Sequence, residues 1–419
     1  MGSPFPVGGD DLSPSAMQTI HFPPTRAAGL DRLTRFTPRM GRTYAAGRNS
    51  DPGPGKRTAV SELSPYVRHR LLTEAELIRA AVATHGAAGA EKFIQEVFWR
   101  TYWKGWLEMR PAIHDRYRAG LSAAMTAMQH DRSLARRVER ACEGRSGIDG
   151  FDDWARELVE TGYLHNHARM WFASIWIFTL RLPWELGADF FYRHLLDADP
   201  ASNTLSWRWV AGLQTRGKTY LARRDNIRDH SYGRFDPEGL SGVALALDEP
   251  PPPPPLALLP LPAPDRRAPT GLLLHGDDVA GIGLAVAADI QALAGLVIED
   301  GRVAAAQAWT AAALDNGMTE AGRSQGLTGT TLSVGEVVAW ARQNRLTQIV
   351  TPEAPVGPVR AALTALTPVL SQAGVRLVPV RRPYDALCWP LATKGFFAFK
   401  ERIPDLLPQV IQDGSPGSS

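Results

Sequence analysis

The chain has 419 residues, 44% hydrophobic and 21% charged, the balance of a folded water-soluble protein of two or three domains. A formal net charge of +3 does not by itself announce a nucleic-acid partner, and two cysteines, Cys142 and Cys388, cannot supply a disulfide framework or a four-thiolate iron–sulfur cluster. The histidines show no zinc spacing, no apolar run reaches the roughly 18 residues of a membrane span, and no signal-peptide core opens the chain. The expectation is a cytoplasmic monomer in a reducing compartment, without bound metal and without membrane contact.

Residues 1–40 are rich in Pro, Gly and Ser without periodicity and read as a flexible arm; residues 411–419 read as a disordered tail. The opening MGS and closing GSPGSS are set aside from fold reasoning. A Gly- and Pro-punctuated segment from Tyr44 to Lys56 leads into a Ser/Thr-rich turn, Thr58 to Pro65. TEAE (Thr73 to Glu76) has the spacing of a capping box and opens a helix. Helical periodicity follows over 74–85, 88–109, 119–142, 149–161, 163–180, 185–196 and 202–213. No strand-like alternation interrupts it, so 41–235 reads as an all-α domain.

After Arg234 the composition changes. The prolines from Pro250 to Pro255 and the PLPAP that follows make 236–269 a stiff polyproline-type spacer. Beyond it, GLLLH (271–275), GLVIE (295–299), TQIVT (347–351) and GVRLVPV (374–380) read as buried strands. Helices near 279–292, 302–314, 333–345 and 356–373 separate them, so 270–410 is expected to be a small Rossmann-like parallel α/β domain. HGDDVAGIG (275–283) lacks a full GxGxxG or P-loop, and no second cofactor is expected there. The ending RPYDALCWPLATKGFFAFKERIP (382–404) carries two aromatic clusters and is expected to dock back as a helix.

Several side chains are spaced for chemistry. Asn166 and Met170 are four apart and share a helix face, with Arg169 on a neighbouring one, from which it could reach Asp197 and Asp199. Trp207 and Trp209, about 200° apart around a helix, face nearly opposite ways. A polar floor with aromatics on two sides suits a flat, buried, redox-active ring system. Glu96, Trp99 and Arg100 project together, although Trp99 among Phe98, Tyr102, Trp103 and Trp106 also reads as core. Thr58, Ser61 and Ser64 offer hydroxyls ahead of a helix, as an ordinary cap or as a pyrophosphate cradle.

Three blocks resemble the photolyase/cryptochrome family, in the family's order, over roughly residues 40–235: TAVSELSPYV (Thr58 to Val67), FIQEVFWRTYW (Phe93 to Trp103), and TGYLHNHARM with LPWELGADFFYRHLLDADPASN and SWRW. The resemblance implies FAD, active when reduced, held by Tyr44, Thr58, Ser61, Leu63, Ser64, Phe93, Arg100, Arg169, Asp197, Asp199 and Asn203. It implies UV-damaged DNA as partner, with Glu96, Trp99, Met170 and Trp209 lining the lesion cavity and Glu96 and Asn166 stabilising the lesion radical anion. Trp207 and Trp184 match the first two members of the family's electron relay. Residues 110–153 hold no third Trp, which leaves Trp106, Trp154, Trp171, Trp176 or a Tyr as substitutes.

The lesion class follows from Asn166 and Met170, which stand where enzymes repairing (6-4) photoproducts need a His pair for proton transfer. Cyclobutane pyrimidine dimers, which need an electron and no obligatory acid, are the implied substrate. Seven Lys/Arg against two acids over 201–235 suit DNA phosphates, or form a solvated helix face. The segment after SWRW departs from the RxFNP-like family pattern, which suggests a preference for single-stranded DNA. The alternative is a cryptochrome-like photoreceptor that binds FAD without repair. In the family the α/β domain precedes the helical one. Here a shortened version follows it, and no antenna chromophore is expected.

Overall fold

The computed structural model describes residues 22–412 apart from 282–283 and 285–287. The first half of the expected arm, the end of the tail and the last two residues of HGDDVAGIG lie outside the described residues. The chain divides into two compact units that are interleaved in sequence. One draws on Thr43–Val60 and Ala112–Pro253, the other on Phe22–Arg42, Ser61–Pro111 and Pro254 onward. The stretch expected as one helical domain therefore contributes to both.

The first unit is helical. Its main helices are Ala112–His130, Arg132–Cys142, Phe151–Thr161, Asn166–Ser174, Trp184–His194 and Pro200–Val210, with a shorter one at Arg224–His230. The helix expected over 119–142 is two helices, because Asp131 leaves the helical conformation and its carboxylate accepts from the Ser133 and Leu134 N–H groups, an N-cap that restarts the chain. Ile175–Thr179 widens into a π-helical turn directly after Ser174. Phe151, Trp154, Trp171, Phe172, Trp176, Phe191 and Trp207 belong to one buried apolar cluster, which also contains Tyr117 and Trp184. A buried ion-pair triad, Arg57 with Asp51 (2.8 Å) and Glu157 (2.5 Å), fixes the Gly-punctuated segment onto Phe151–Thr161.

The second unit holds a five-stranded, all-parallel sheet, β1 Thr270–His275, β2 Ile290–Leu296, β3 Gly329–Leu332, β4 Gln348–Pro352 and β5 Arg376–Val380, in the order β3-β2-β1-β4-β5. Two sequence expectations need correction. The Ala-rich run read as a helix over 279–292 enters β2 at Ile290, and the strand read at 295–299 ends at Leu296. Small apolar residues fit either state; here the sheet takes them, because Gly295 lets Ala304–Gln325 pack close. A Cβ at Gly295 would come within 2.8 Å of Met318 Sδ. The short strand β3 escaped notice because its residues are mostly exposed and carry no alternation.

Helices made early in the chain complete this unit. Arg26–Phe36 forms where an arm without periodicity was expected, capped by the Thr25 side chain. The capping box at Thr73 and Glu76 is formed and opens Glu74–Gly89. Glu91–Glu108 follows, and the C-terminal segment docks as four short pieces rather than one helix: Pro383–Cys388, Trp389–Leu391 and Phe396–Lys400 on Glu91–Glu108, and Ile403–Gln412 on Glu74–Gly89. Tyr384 and Thr101 hydroxyls meet at 2.9 Å, Tyr102 donates to the Lys394 carbonyl at 2.9 Å and Arg110 to Thr393 at 2.7 Å.

Candidate functional site

In the first unit, the site is built around the turn that enters Asn166–Ser174. His165 caps this helix, its Nδ1 accepting from the His167 N–H, and so fixes where Asn166, Arg169 and Met170 project. Arg169 reaches Asp197 at 2.9 Å while its Nε donates to the Leu164 carbonyl. Asp197 is buried and Arg169 half-buried, so the carboxylate has the cationic partner its burial requires. Asp199 is the N-cap of Pro200–Val210, accepting from the N–H groups of Ala201 and Ser202. One turn on, Asn203 donates through Nδ2 to the Ala188 carbonyl at 2.7 Å. A guanidinium, two carboxylates and an amide thus lie within two linked elements. These are the donors and acceptors that the polar edge of a flavin ring requires, so the residues present fit the group.

Asn166 is exposed and Met170 half-buried. Trp209 stacks against Tyr220 (5.7 Å between ring centroids, 28° between planes), whose hydroxyl meets His167 Nε2 at 3.2 Å. His167 also stacks on His230 at 5.4 Å. Burial first, then the nearby His230 and His165, pull its pKa down to about 4, so it is neutral at pH 7. Tyr220 and His230 had no signal in the sequence, since they come from the segment that departs from the family pattern. Tyr44 is buried and Thr58 exposed in the same unit.

Trp184 and Trp207, the two tryptophans expected to carry electrons, are buried in one cluster. Trp207 packs against Phe191 at 5.2 Å and Trp176 at 6.3 Å, and Trp176 donates its indole N–H to the carbonyl of Pro183, next to Trp184. Trp184 in turn meets Tyr117 at 5.6 Å. On the helix of Trp184, Asp189 has an oxygen, Oδ2, that is buried with no hydrogen-bond partner. Burial raises its pKa to about 6, with Arg193 opposing.

In the second unit, Glu91–Glu108 carries a buried Phe93 and half-buried Glu96, Trp99 and Arg100. One face of Trp99 is covered: Phe396 stacks on it at 3.5 Å and 13°. The hydroxyl turn is less open than a phosphate cradle suggests. Ser61 Oγ accepts from the Leu63 N–H, Leu63 is buried, Glu62 adopts a left-handed φ of 50° and pairs with Arg32 at 2.8 Å, and the helix begun at Ser64 has only five residues. HGDDVAGIG commits both its carboxylates to ion pairs, Asp277 with Arg68 (2.6 Å) and Asp278 with Arg70 (3.0 Å) and Arg382 (2.5 Å).

The basic run over 201–235 divides into one buried arginine and several surface ion pairs. Arg208 is fully buried against Glu249, and Arg216, Arg223, Arg224 and Arg228 each pair with a carboxylate. Among the described residues no helix is long and apolar enough to cross a membrane, and no group of His, Cys, Asp and Glu could hold a metal ion.

Residues 93–240 match the family described as the FAD binding domain of DNA photolyase. Among curated relatives, the deoxyribodipyrimidine photo-lyase of Streptomyces griseus is 33% identical over 41% of this chain and 38% of its own length. The deoxyribodipyrimidine photo-lyase of a Thermus thermophilus strain is 32% identical over 52% of this chain and 49% of its own. The chain therefore spans less than half the length of these relatives. A solved class III photolyase from Agrobacterium tumefaciens aligns at 21% identity over 53% of this chain and 48% of its own, with a TM-score of 0.38.

Proposed function

We propose that this chain, which belongs to the photolyase/cryptochrome family, is a light-driven DNA repair enzyme that splits cyclobutane pyrimidine dimers. The observation that carries the reading is the Arg169–Asp197 pair at 2.9 Å, the charge arrangement the resemblance requires, inside the segment matched to the FAD binding domain. Reduced FAD, excited by blue or near-UV light, supplies the electron that opens the dimer ring. Arg169, Asp197, Asp199 and Asn203 hold the flavin ring, and Tyr44, Thr58, Ser61, Leu63, Ser64, Phe93 and Arg100 hold the rest of the cofactor. The amide of Asn203 is anchored on the Ala188 carbonyl and has no titratable proton, so it can accompany the anionic or the neutral reduced ring. Glu96 and Asn166 stabilise negative charge on the lesion by hydrogen bonds, and Trp99, Met170 and Trp209 line its apolar faces. Trp207 and Trp184 bring electrons in.

Single-stranded DNA is the favoured substrate. Flipping a dimer out of a duplex costs a few kcal/mol that a single strand does not demand, and the segment after SWRW departs from the family pattern. The parallel sheet is proposed as a permuted, shortened counterpart of the family's N-terminal domain without an antenna pigment. The test is direct: illuminate the reduced, FAD-loaded chain with a thymine-dimer oligonucleotide, single- and double-stranded, and follow dimer loss. Faster loss on the single strand is expected, and equal rates would sink the strand preference.

A second reading, a cryptochrome-like photoreceptor, is favoured by one specific observation. Phe396 already stacks on Trp99 and Tyr220 on Trp209, so each ring assigned to the lesion has one face taken by an internal partner. No dimer loss on either substrate, with light-induced flavin reduction intact, would select this reading.

A further inference from the structure

We propose that Tyr220, docked on His167, is a positioning residue that fixes the pose of Trp209, so that a substrate meets the indole on the side Tyr220 leaves. This rests on the repair reading above and deepens it, because it names what holds a ring assigned to the lesion. The ties run through side chain and main chain together. The Tyr220 ring stacks on the Trp209 ring, 5.7 Å between centroids and 28° between planes. Its N–H donates to the Val210 carbonyl at 3.2 Å, which brings the chain back to the end of Pro200–Val210, one residue past Trp209. At the far end of the ring, the hydroxyl meets His167 Nε2 at 3.2 Å. A phenol held at its backbone and at its hydroxyl keeps little rotamer freedom, and it restrains the ring it stacks on.

His167 is itself held. Its ring contacts Trp171 at 4.5 Å and His230 at 5.4 Å between centroids. His230 Nδ1 meets the Ser50 hydroxyl at 3.2 Å, and Trp171 donates its indole N–H to Asn226 Oδ1 at 2.9 Å. Asn226 and His230 both stand on Arg224–His230, so the short helix that follows Tyr220 is tied to the same group of rings. With its pKa pulled down to about 4, chiefly by burial, His167 is neutral at pH 7 and brings no charge to the phenol it holds.

Trp209 needs such support. It is half-buried in the last turn of its helix, where an indole without a partner samples several rotamers. A substrate would then have to order the ring on binding, which weakens affinity. Tyr220 has ordered it beforehand.

The experiment is a dark binding comparison on the full, FAD-loaded chain, using a single-stranded oligonucleotide with one thymine dimer and the same strand undamaged. Tyr220→Ala is expected to cut the preference for the dimer about fivefold or more, and Tyr220→Phe, which keeps the ring, to restore most of it. His167→Ala should weaken the preference, and adding Tyr220→Phe to it should cost nothing further, since both delete one hydrogen bond. In a Trp209→Ala chain, Tyr220→Ala should have less than about a twofold effect. A preference that survives Tyr220→Ala, or an equal loss with and without Trp209, overturns the inference. A second measurement separates it from the parent reading. Fluorine NMR of the DNA-free chain, labelled with fluorotryptophan, yields a Trp209 line assigned by its loss in Trp209→Phe. That line is expected to be single and narrow, to broaden or split in Tyr220→Ala, and to recover in Tyr220→Phe. If the unaltered chain shows no preference for the dimer, the parent reading fails and this line decides alone. A Trp209 line that Tyr220→Ala leaves unchanged overturns the inference, and one that it broadens or splits supports it.

Discussion

Asp189 carries a stability signature. Its folded pKa, near 6, lies above the ordinary carboxylate value of 3.8, so the folded state binds this proton more tightly than the unfolded chain. The stability tied to that proton is fully present below about pH 4 and is lost as pH rises through 6, leaving a cost of roughly 2–3 kcal/mol at neutral pH. Asp189→Asn should therefore raise the melting temperature at pH 7 and leave it nearly unchanged at pH 4. A gain of equal size at both values would contradict the buried, unpaired state of the carboxylate. Nothing in the sequence marks this residue, because burial without a partner is a property of packing and not of spacing. Arg169 and Asp197, by contrast, were legible together, since complementary charges flanking a helix and a helix entry have few other ways to be satisfied.

At the scale of elements, the firmest joint is the buried network at the end of β1. Arg70 reaches Asp385 at 2.6 Å and Asp278 at 3.0 Å, and Arg382 clamps the other side of Asp278 at 2.5 Å. Burial opposes charging of Asp278, but Arg382 and Arg70 outweigh it and hold its pKa well below the usual carboxylate range. Arg70→Met removes the shared cation and strands Asp385, while Asp278 keeps Arg382, which should cost about 3–5 kcal/mol in urea unfolding. A loss below about 1 kcal/mol would mean that water reaches the network. The sequence revealed the parallel sheet and the helix at Thr73, where apolar runs and a capping box leave one solution. It misplaced β2 and missed β3, where small or exposed residues carry no period. The helix Arg26–Phe36 was hidden among the prolines and glycines around it.

For the whole molecule, the order of the segments matters more than their number. The second unit is assembled from Phe22–Arg42, Ser61–Pro111 and Pro254 onward, so a cut after Pro254 does not release a self-contained piece. Arg266 and Arg267 are exposed in the spacer just before β1 and offer trypsin such a cut. Limited digestion there should give two fragments on a denaturing gel that still elute together on native gel filtration. Separation under native conditions would show that the sheet holds together without the early helices. The composition suggested a spacer between two independent bodies. What it could not reveal is that helices written before the spacer belong with strands written after it.

The docking of the last segment onto Glu91–Glu108 bears on how the protein is made. Gly105 permits a close approach: a Cβ there would lie 2.8 Å from the Trp389 Cα, so a side chain at this position would push the C-terminal segment off the helix. The ribosome delivers the helix first and its cover last, with most of the chain in between. During synthesis Phe98, Tyr102 and Trp106, which are buried in the finished fold, wait in the open. A message broken off before the final helices would thus yield a sticky precursor for chaperones and proteases, and not a smaller working protein.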